Sequence, residues 1–135
     1  MYIELKEIDK DTLKVGDVVG IARKVSYGWG LSFRHQLIIP AKITRITPKR
    51  TKFFTDKFGE HDKGEIFYEP DSNAVKENHL AMLFDGFQRG VYELDEFKRK
   101  EGIGIISDSD LLIVAEHMKA ITDILEKYKE KYSVC

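Results

Sequence analysis

Apolar and polar side chains alternate with a period of about two in the first half of the chain, which is the pattern of half-buried β-strands. β-Branched and aromatic residues are concentrated in the same segments, which favours strands over helices. We predict a strand in each of five segments: residues 2–8, 13–25, 31–46, 51–55 and 64–68.

Three interruptions separate these strands. Residues 26–30 place Trp29 between two glycines, which predicts a loop that carries Tyr27 and Trp29. Residues 47–51 contain a proline at a turn position and two basic residues, so they predict a hairpin with a basic tip. The polar residues 57–62 predict a further solvated turn.

The second half changes to the period of an α-helix. Apolar residues recur every three to four positions over residues 72–85, which predicts a helix there. Gly86 and Gly90 predict a bend, followed by a shorter helix over residues 94–100. Residues 102–106 alternate glycine and isoleucine, which favours a short strand added to the sheet.

The last predicted helix begins at a capping signal. Ser107 and Asp110 are three apart, the spacing of a capping box, and acidic side chains favour a helix N-terminus. An apolar stripe follows at alternating spacings of three and four: Leu111, Val114, Met118, Ile121, Leu125, Tyr128 and Tyr132. We favour packing of this stripe on the sheet, because about three heptads is close to the minimum for a coiled coil. The alternative is a homodimer seam through the 111–132 helix.

These elements predict an α+β fold in one domain over residues 1–135. A small SH3-like antiparallel β-barrel or curled sheet is expected over 1–69, because closure protects strand edges. An acidic helical part over 70–135 is expected to pack on it. Residues 13–19 resemble the Gly-Asp entry of SH3-like barrels, and residues 43–56 resemble their central hairpin. Around residues 42–51 the chain also resembles small bacteriophage proteins with such a barrel.

Charge is segregated along a chain of 135 residues whose formal net charge is only −1. Residues 23–57 contain nine lysines and arginines against one aspartate, a net charge of +8. Residues 70–135 contain nine basic and thirteen acidic residues, a net charge of −4. The two halves therefore differ in electrostatic character, which bears on the kind of partner each can bind.

The sequence predicts a cytoplasmic protein with no membrane partner. Its apolar runs are far shorter than the roughly 20 residues that span a bilayer, and residues 1–7 lack the apolar core of a signal peptide. The only cysteine is Cys135, so an intramolecular disulfide is impossible.

No recognised catalytic, metal-binding or cofactor-binding motif is present, so we predict a protein that is not an enzyme, with no catalytic residue, metal or cofactor. The four histidines do not have the i, i+4 spacing of a helical zinc site. The pairs of glycines at 28–30 and 102–104 are not followed by the remaining residues of a phosphate-binding loop.

The basic segment with its aromatic residues predicts contact with nucleic acid, because cations displace counterions from phosphates and planar groups stack on bases. The candidate contacts, for nucleic acid or another partner, are Tyr27, Trp29, Arg34, Arg45, Lys49, Arg50 and Lys52. A solvated basic face that only keeps the barrel soluble is the simpler alternative.

Two other functions stay open at this point. A phage-encoded regulator or inhibitor could bind a host protein through the Trp29 loop, since tryptophan is enriched at binding hot spots. A small-ligand binder or enzyme would need a pocket between sheet and helices, which we place near His79, Gln88 and Arg89.

Overall fold

The computed structural model of the protein describes residues 2–132. Within that range a 3₁₀ turn at Lys10–Thr12 precedes five strands and four helices. The strands are β1 (Val18–Gly28), β2 (Leu31–Ile46), β3 (Lys52–Thr55), β4 (Gly59–Asp62) and β5 (Phe67–Tyr68). The helices are α1 (Ser72–Arg99), α2 (Gly102–Ile105), α3 (Asp108–Glu126) and α4 (Lys129–Tyr132).

The strands form one antiparallel sheet in the order β4-β3-β2-β1-β5. β2 is long enough to pair with β1 over its first three quarters and with β3 near its end, so it links the two halves of the sheet. Among the described residues no ladder joins β4 to β5. The predicted α+β class with a curled sheet and C-terminal helices is confirmed, whereas closure into an SH3-like barrel is not observed.

The core lies on one face of this sheet. Phe53 and Phe67 meet edge to face with ring centroids 5.8 Å apart, and both side chains are fully buried. The remaining buried members of the cluster are Ile8, Leu13, Val19, Ile21, Ala41 and Ile43. Because the side chains of a strand alternate between its two faces, the burial of Phe53 leaves Phe54 on the opposite face, where it is half-buried.

Helix α1 protects the part of β2 that β3 does not reach. Pro40 lies opposite β1 and has no N–H to donate to it. In an antiparallel ladder, residues that hydrogen-bond to the facing strand alternate with residues that do not, so every second residue counted from Pro40 directs its N–H away from β1. The N–H groups of Gln36 and Ile38 therefore point away from β1. Gln36 N–H donates to the Glu77 carboxylate and Ile38 N–H donates to the Asn78 side-chain oxygen, both at 2.9 Å. These bonds satisfy donors that would otherwise form an exposed strand edge.

Two predictions in the β-rich part were wrong in detail. Residues 2–8 form no regular strand and pair with β5 only through a bridge between Glu7 and Tyr68 and two neighbouring backbone hydrogen bonds. Residues 57–62 were predicted as a solvated turn, but β4 occupies Gly59–Asp62 and pairs with all of β3. The side chain of His61 is buried there.

Two helical predictions were also wrong. α1 runs without a break through Gly86 and Gly90, where a predicted bend separated two helices. A glycine inside a helix costs roughly 1 kcal/mol relative to alanine, which is too little to end a helix that packing holds at its start. Residues 102–105 form helix α2 instead of a strand.

The predicted cap of α3 is confirmed, since Ser107 Oγ accepts a hydrogen bond of 3.1 Å from the N–H of Asp110. Contacts divide the chain into two compact units, Met1–Gly90 and Val91–Cys135. The first unit contains the whole sheet and the start of α1. The expectation of a single domain with its helical part packed on the sheet stays a prediction. No helix among residues 2–132 is both long and apolar enough to cross a membrane.

Candidate functional site

The predicted contact residues lie at the two ends of β2. Trp29 lies in the β1–β2 turn and Tyr27, predicted in the same loop, lies near the end of β1, whereas Lys49 lies in the β2–β3 turn and Arg45 near the end of β2. Fourteen residues separate Leu31 from Arg45, which at about 3.3 Å per residue is up to about 45 Å along the strand. The predicted residues therefore form two separate surfaces instead of one site.

The outer hairpin face, which we define as Lys42, Arg45, Lys49 and Phe54, carries three of the exposed cations of the basic segment. None of the three side chains forms an ion pair within the described part of the chain, and the Asp56 carboxylate accepts the backbone N–H of Lys42 at 2.9 Å. Arg45 pairs with Phe54 across β2 and β3, and its guanidinium lies 5.1 Å from the centre of that ring. The outer hairpin face thus presents three positive charges, one of which is the planar Arg45 guanidinium beside the Phe54 ring.

Two of the predicted contact residues near the same turn, Arg50 and Lys52, bind other parts of the same chain. The Arg50 guanidinium donates to the carbonyls of Lys10 and Leu13, at 2.5 and 2.9 Å, and ties the turn to the segment before β1. Lys52 pairs with Glu60 at 3.2 Å. Arg50 is therefore assigned a structural role, and the charge of Lys52 is partly compensated.

The β1–β2 turn presents a second, more apolar surface. Trp29 is 100% exposed, and Tyr27 and Leu31 beside it are about half exposed. Tyr27 packs edge to face on Phe84 of α1 with ring centroids 5.7 Å apart, so the base of the turn is anchored while Trp29 is not. Arg34 lies over the neighbouring Phe33 ring, 4.8 Å from its centre.

A buried histidine–carboxylate pair joins β2 to α1. His35 is 3% exposed, and its Nδ1 lies 2.6 Å from a Glu77 oxygen. Because a carboxylate only accepts, Nδ1 carries the proton in this bond. The other Glu77 oxygen accepts the Gln36 N–H. The opposite ring nitrogen, Nε2, makes no hydrogen bond to the described residues.

A cleft of about 270 Å³ opens beside this pair. Its lining residues are Tyr2, Ile3, Leu5, Arg34, His35, Gln36, Tyr68 and Glu77. The cleft does not lie near His79, Gln88 and Arg89, where a pocket was predicted. Gln88 donates to the Ser26 carbonyl, Arg89 pairs with Asp85, and His79 is exposed. The sequence contains only one weak signal for this cleft: in the alternation of β2, His35 occupies an inward-facing position.

A second buried histidine lies in a hydrogen-bonded chain. His61 is 2% exposed; its Nε2 is 2.8 Å from Thr55 Oγ1 and its Nδ1 is 2.5 Å from Glu65. Arg23 pairs with the same carboxylate at 3.2 Å. The order of hydroxyl, imidazole and carboxylate is that of a catalytic triad. Thr55 is also buried and accepts the Phe58 N–H, so we assign this chain a structural role.

The pKa of Glu65 predicts part of the acid sensitivity of the fold. Partial burial raises this pKa, but hydrogen bonds and positive charge from His61 and Arg23 outweigh the burial and hold it below the ordinary 4.5. The ionised carboxylate therefore favours the folded state above 4.5, and this contribution is lost as pH falls through the lowered pKa.

Glu65→Gln is accordingly expected to lower the free energy of unfolding at pH 7 and to have a progressively smaller effect as the pH falls below 4.5. Urea titrations at several pH values measure this difference, with the exposed Glu4→Gln as control. An effect of Glu65→Gln that grew on acidification would contradict the assignment.

Within residues 2–132 no group of three or more His, Cys, Asp or Glu side chains is placed to hold a metal ion. Comparison with known proteins identifies no matching family model, curated protein or solved structure.

Proposed function

We propose that the protein is a small non-enzymatic binding protein that contacts nucleic acid through the outer hairpin face. The observation that supports this most is the exposure of Lys42, Arg45 and Lys49 without a carboxylate partner among the described residues. Two other cations of the basic segment are compensated, in the pairs Arg23–Glu65 and Lys52–Glu60. Within residues 2–132, the exposed cations of this segment without such a pair are the three on this hairpin and Lys24, Arg34 and Lys57 elsewhere, so the outer hairpin face holds half of them.

Phosphate contacts by these three side chains release condensed counterions, which is the main source of affinity in sequence-independent binding. Stacking on bases is assigned to Arg45 and Phe54, because the guanidinium and the ring are already adjacent. Tyr27 and Trp29 are too far along β2 to stack on a base held at the outer hairpin face.

Replacing Lys42, Arg45 and Lys49 together by glutamate is expected to weaken nucleic-acid binding by about 100-fold or more at low salt, if each phosphate contact contributes about 1 kcal/mol. Fluorescence anisotropy with labelled single-stranded DNA, duplex DNA and RNA measures this loss.

The matched control replaces three exposed lysines elsewhere, Lys6, Lys14 and Lys76, by glutamate, so that the net charge changes by the same amount. Trp29→Ala serves as the aromatic control. Both controls are expected to bind almost as the wild type does. Equal losses in the triple variant and its charge-matched control would contradict a localised site.

A second candidate function uses the other end of β2. A fully exposed tryptophan on an anchored turn suits a protein-protein contact, which supports a phage-encoded regulator or inhibitor that binds a host protein. It becomes the leading candidate if none of the three nucleic acids binds at low salt. The cleft beside His35 supports a small polar ligand as a third. All three candidates place the protein in the cytoplasm.

A further inference from the structure

Helix α3 carries an apolar face that its own unit does not cover. The described members of the 111–128 stripe are exposed or half-buried, and no described residue of α3 is buried. Among the described elements of its unit, even α4, which follows after two residues, makes only a few contacts with α3. Most of the stability of a helix in a protein comes from packing of its apolar face, so this 19-residue helix needs a partner surface.

We propose that this surface is the α3 helix of a second copy of the chain, packed antiparallel about a two-fold axis. The stripe is spaced 3, 4, 3, 4, 3, which reads the same in both directions. Reversing a second copy therefore places each apolar position opposite another one. Met118 faces Ile121 of the second copy at the centre, and Leu111 faces its Tyr128 at the ends. Such self-complementary contacts are the ordinary form of a two-fold dimer.

The charges beside the stripe select the antiparallel orientation. Asp108 and Asp110 lie in the first turn of α3, whereas Lys129 and Lys131 lie in α4 at the other end. Continuing the heptad through the turn at residues 127–128 into α4 places these four residues at the positions that flank the apolar seam, with Lys129 3.7 Å from Glu126 of its own chain. Antiparallel packing places the acidic end of each copy against the basic end of the other. Parallel packing would bring like ends together and form no such pairs.

Sedimentation equilibrium of the full chain tests the dimer. The expected mass is twice the 15.6 kDa of one chain. Ile121→Glu, at the centre of the seam, is expected to raise the dissociation constant at least 100-fold, whereas Leu112→Glu, exposed but outside the stripe, changes it less than fivefold. A wild-type protein that stays monomeric at 100 µM, or a Leu112→Glu variant as weak as Ile121→Glu, would overturn the proposal.

Charge reversal provides a test that does not depend on the folding of the Ile121 variant. Asp108→Lys with Asp110→Lys is expected to weaken the dimer about tenfold, and adding Lys129→Asp with Lys131→Asp is expected to restore most of the affinity. Failure of the four-residue variant to recover would overturn the antiparallel pairing.

Spin labels at Ser109→Cys, in a chain with Cys135→Ser, then report the orientation. An antiparallel dimer places the two labels about 30 Å apart along the axis, given the rise of about 1.5 Å per residue, whereas parallel helices hold them level along the axis and within about 22 Å of each other. A short distance would contradict the proposal.

Discussion

Phe53→Ala is expected to lower the free energy of unfolding by about 4 kcal/mol, because it removes a large buried side chain and leaves a cavity against Phe67. Phe53 is 1% exposed, and its ring contacts Phe67 edge to face. The two strands that it joins, β3 and β5, lie on opposite sides of the sheet order. Losing this contact therefore weakens both halves of the sheet, and urea unfolding measures the change.

Phe54→Ala is the matched control, because it removes the same side chain from the next residue. Phe54 is half-buried on the other face, so its replacement is expected to cost less than about 1.5 kcal/mol. Similar losses for the two variants would contradict the assignment of Phe53 to the core and Phe54 to the outer hairpin face.

Glu77→Ala is expected to lower the free energy of unfolding by about 3 kcal/mol or more, since it breaks a buried pair and leaves its partners unsatisfied. Glu77 holds two groups at once: its oxygens accept from His35 and from the Gln36 N–H. Without it, the edge of β2 loses one of the two acceptors that α1 provides. Chemical denaturation of the purified variant measures this loss.

Two further substitutions separate the causes of that loss. Lys76→Ala, at the adjacent exposed position of α1, is expected to change stability by less than about 0.5 kcal/mol. Glu77→Gln keeps one oxygen for the backbone donor and loses the charge, so its effect should fall between the other two. If Glu77→Ala were as mild as Lys76→Ala, the pair would not hold α1 on β2.

The elements that the sequence predicts well are those determined by local patterns. The β2 strand, its basic turn and the Ser107 cap are each encoded by neighbouring residues, and all three are present. The four residues of β4 are mostly polar and read as a turn. Their strand depends on burial of His61 between Thr55 and Glu65. Propensity within a short segment does not contain that information.

The candidate surfaces likewise divide into features encoded by neighbouring residues and features that depend on residues distant in sequence. The exposure of Lys49 at a turn follows from local sequence. The hydrogen bonds of Arg50 do not, because the carbonyls of Lys10 and Leu13 that accept them lie 40 and 37 residues away. The pairing of His35 with Glu77 likewise spans 42 residues. Neither contact has a motif that would reveal it. Charge segregation indicated the basic segment, and only the fold separated its free cations from the compensated ones.

The salt dependence of nucleic-acid binding tests the proposed function most directly. For single strands the logarithm of the association constant falls with the logarithm of salt concentration by about 0.7 for each phosphate contact. We expect salt-sensitive binding by the wild-type protein, with a slope about 2 units shallower when Lys42, Arg45 and Lys49 are all replaced by glutamine. An unchanged slope in that variant, or binding that does not weaken as salt rises, would contradict it.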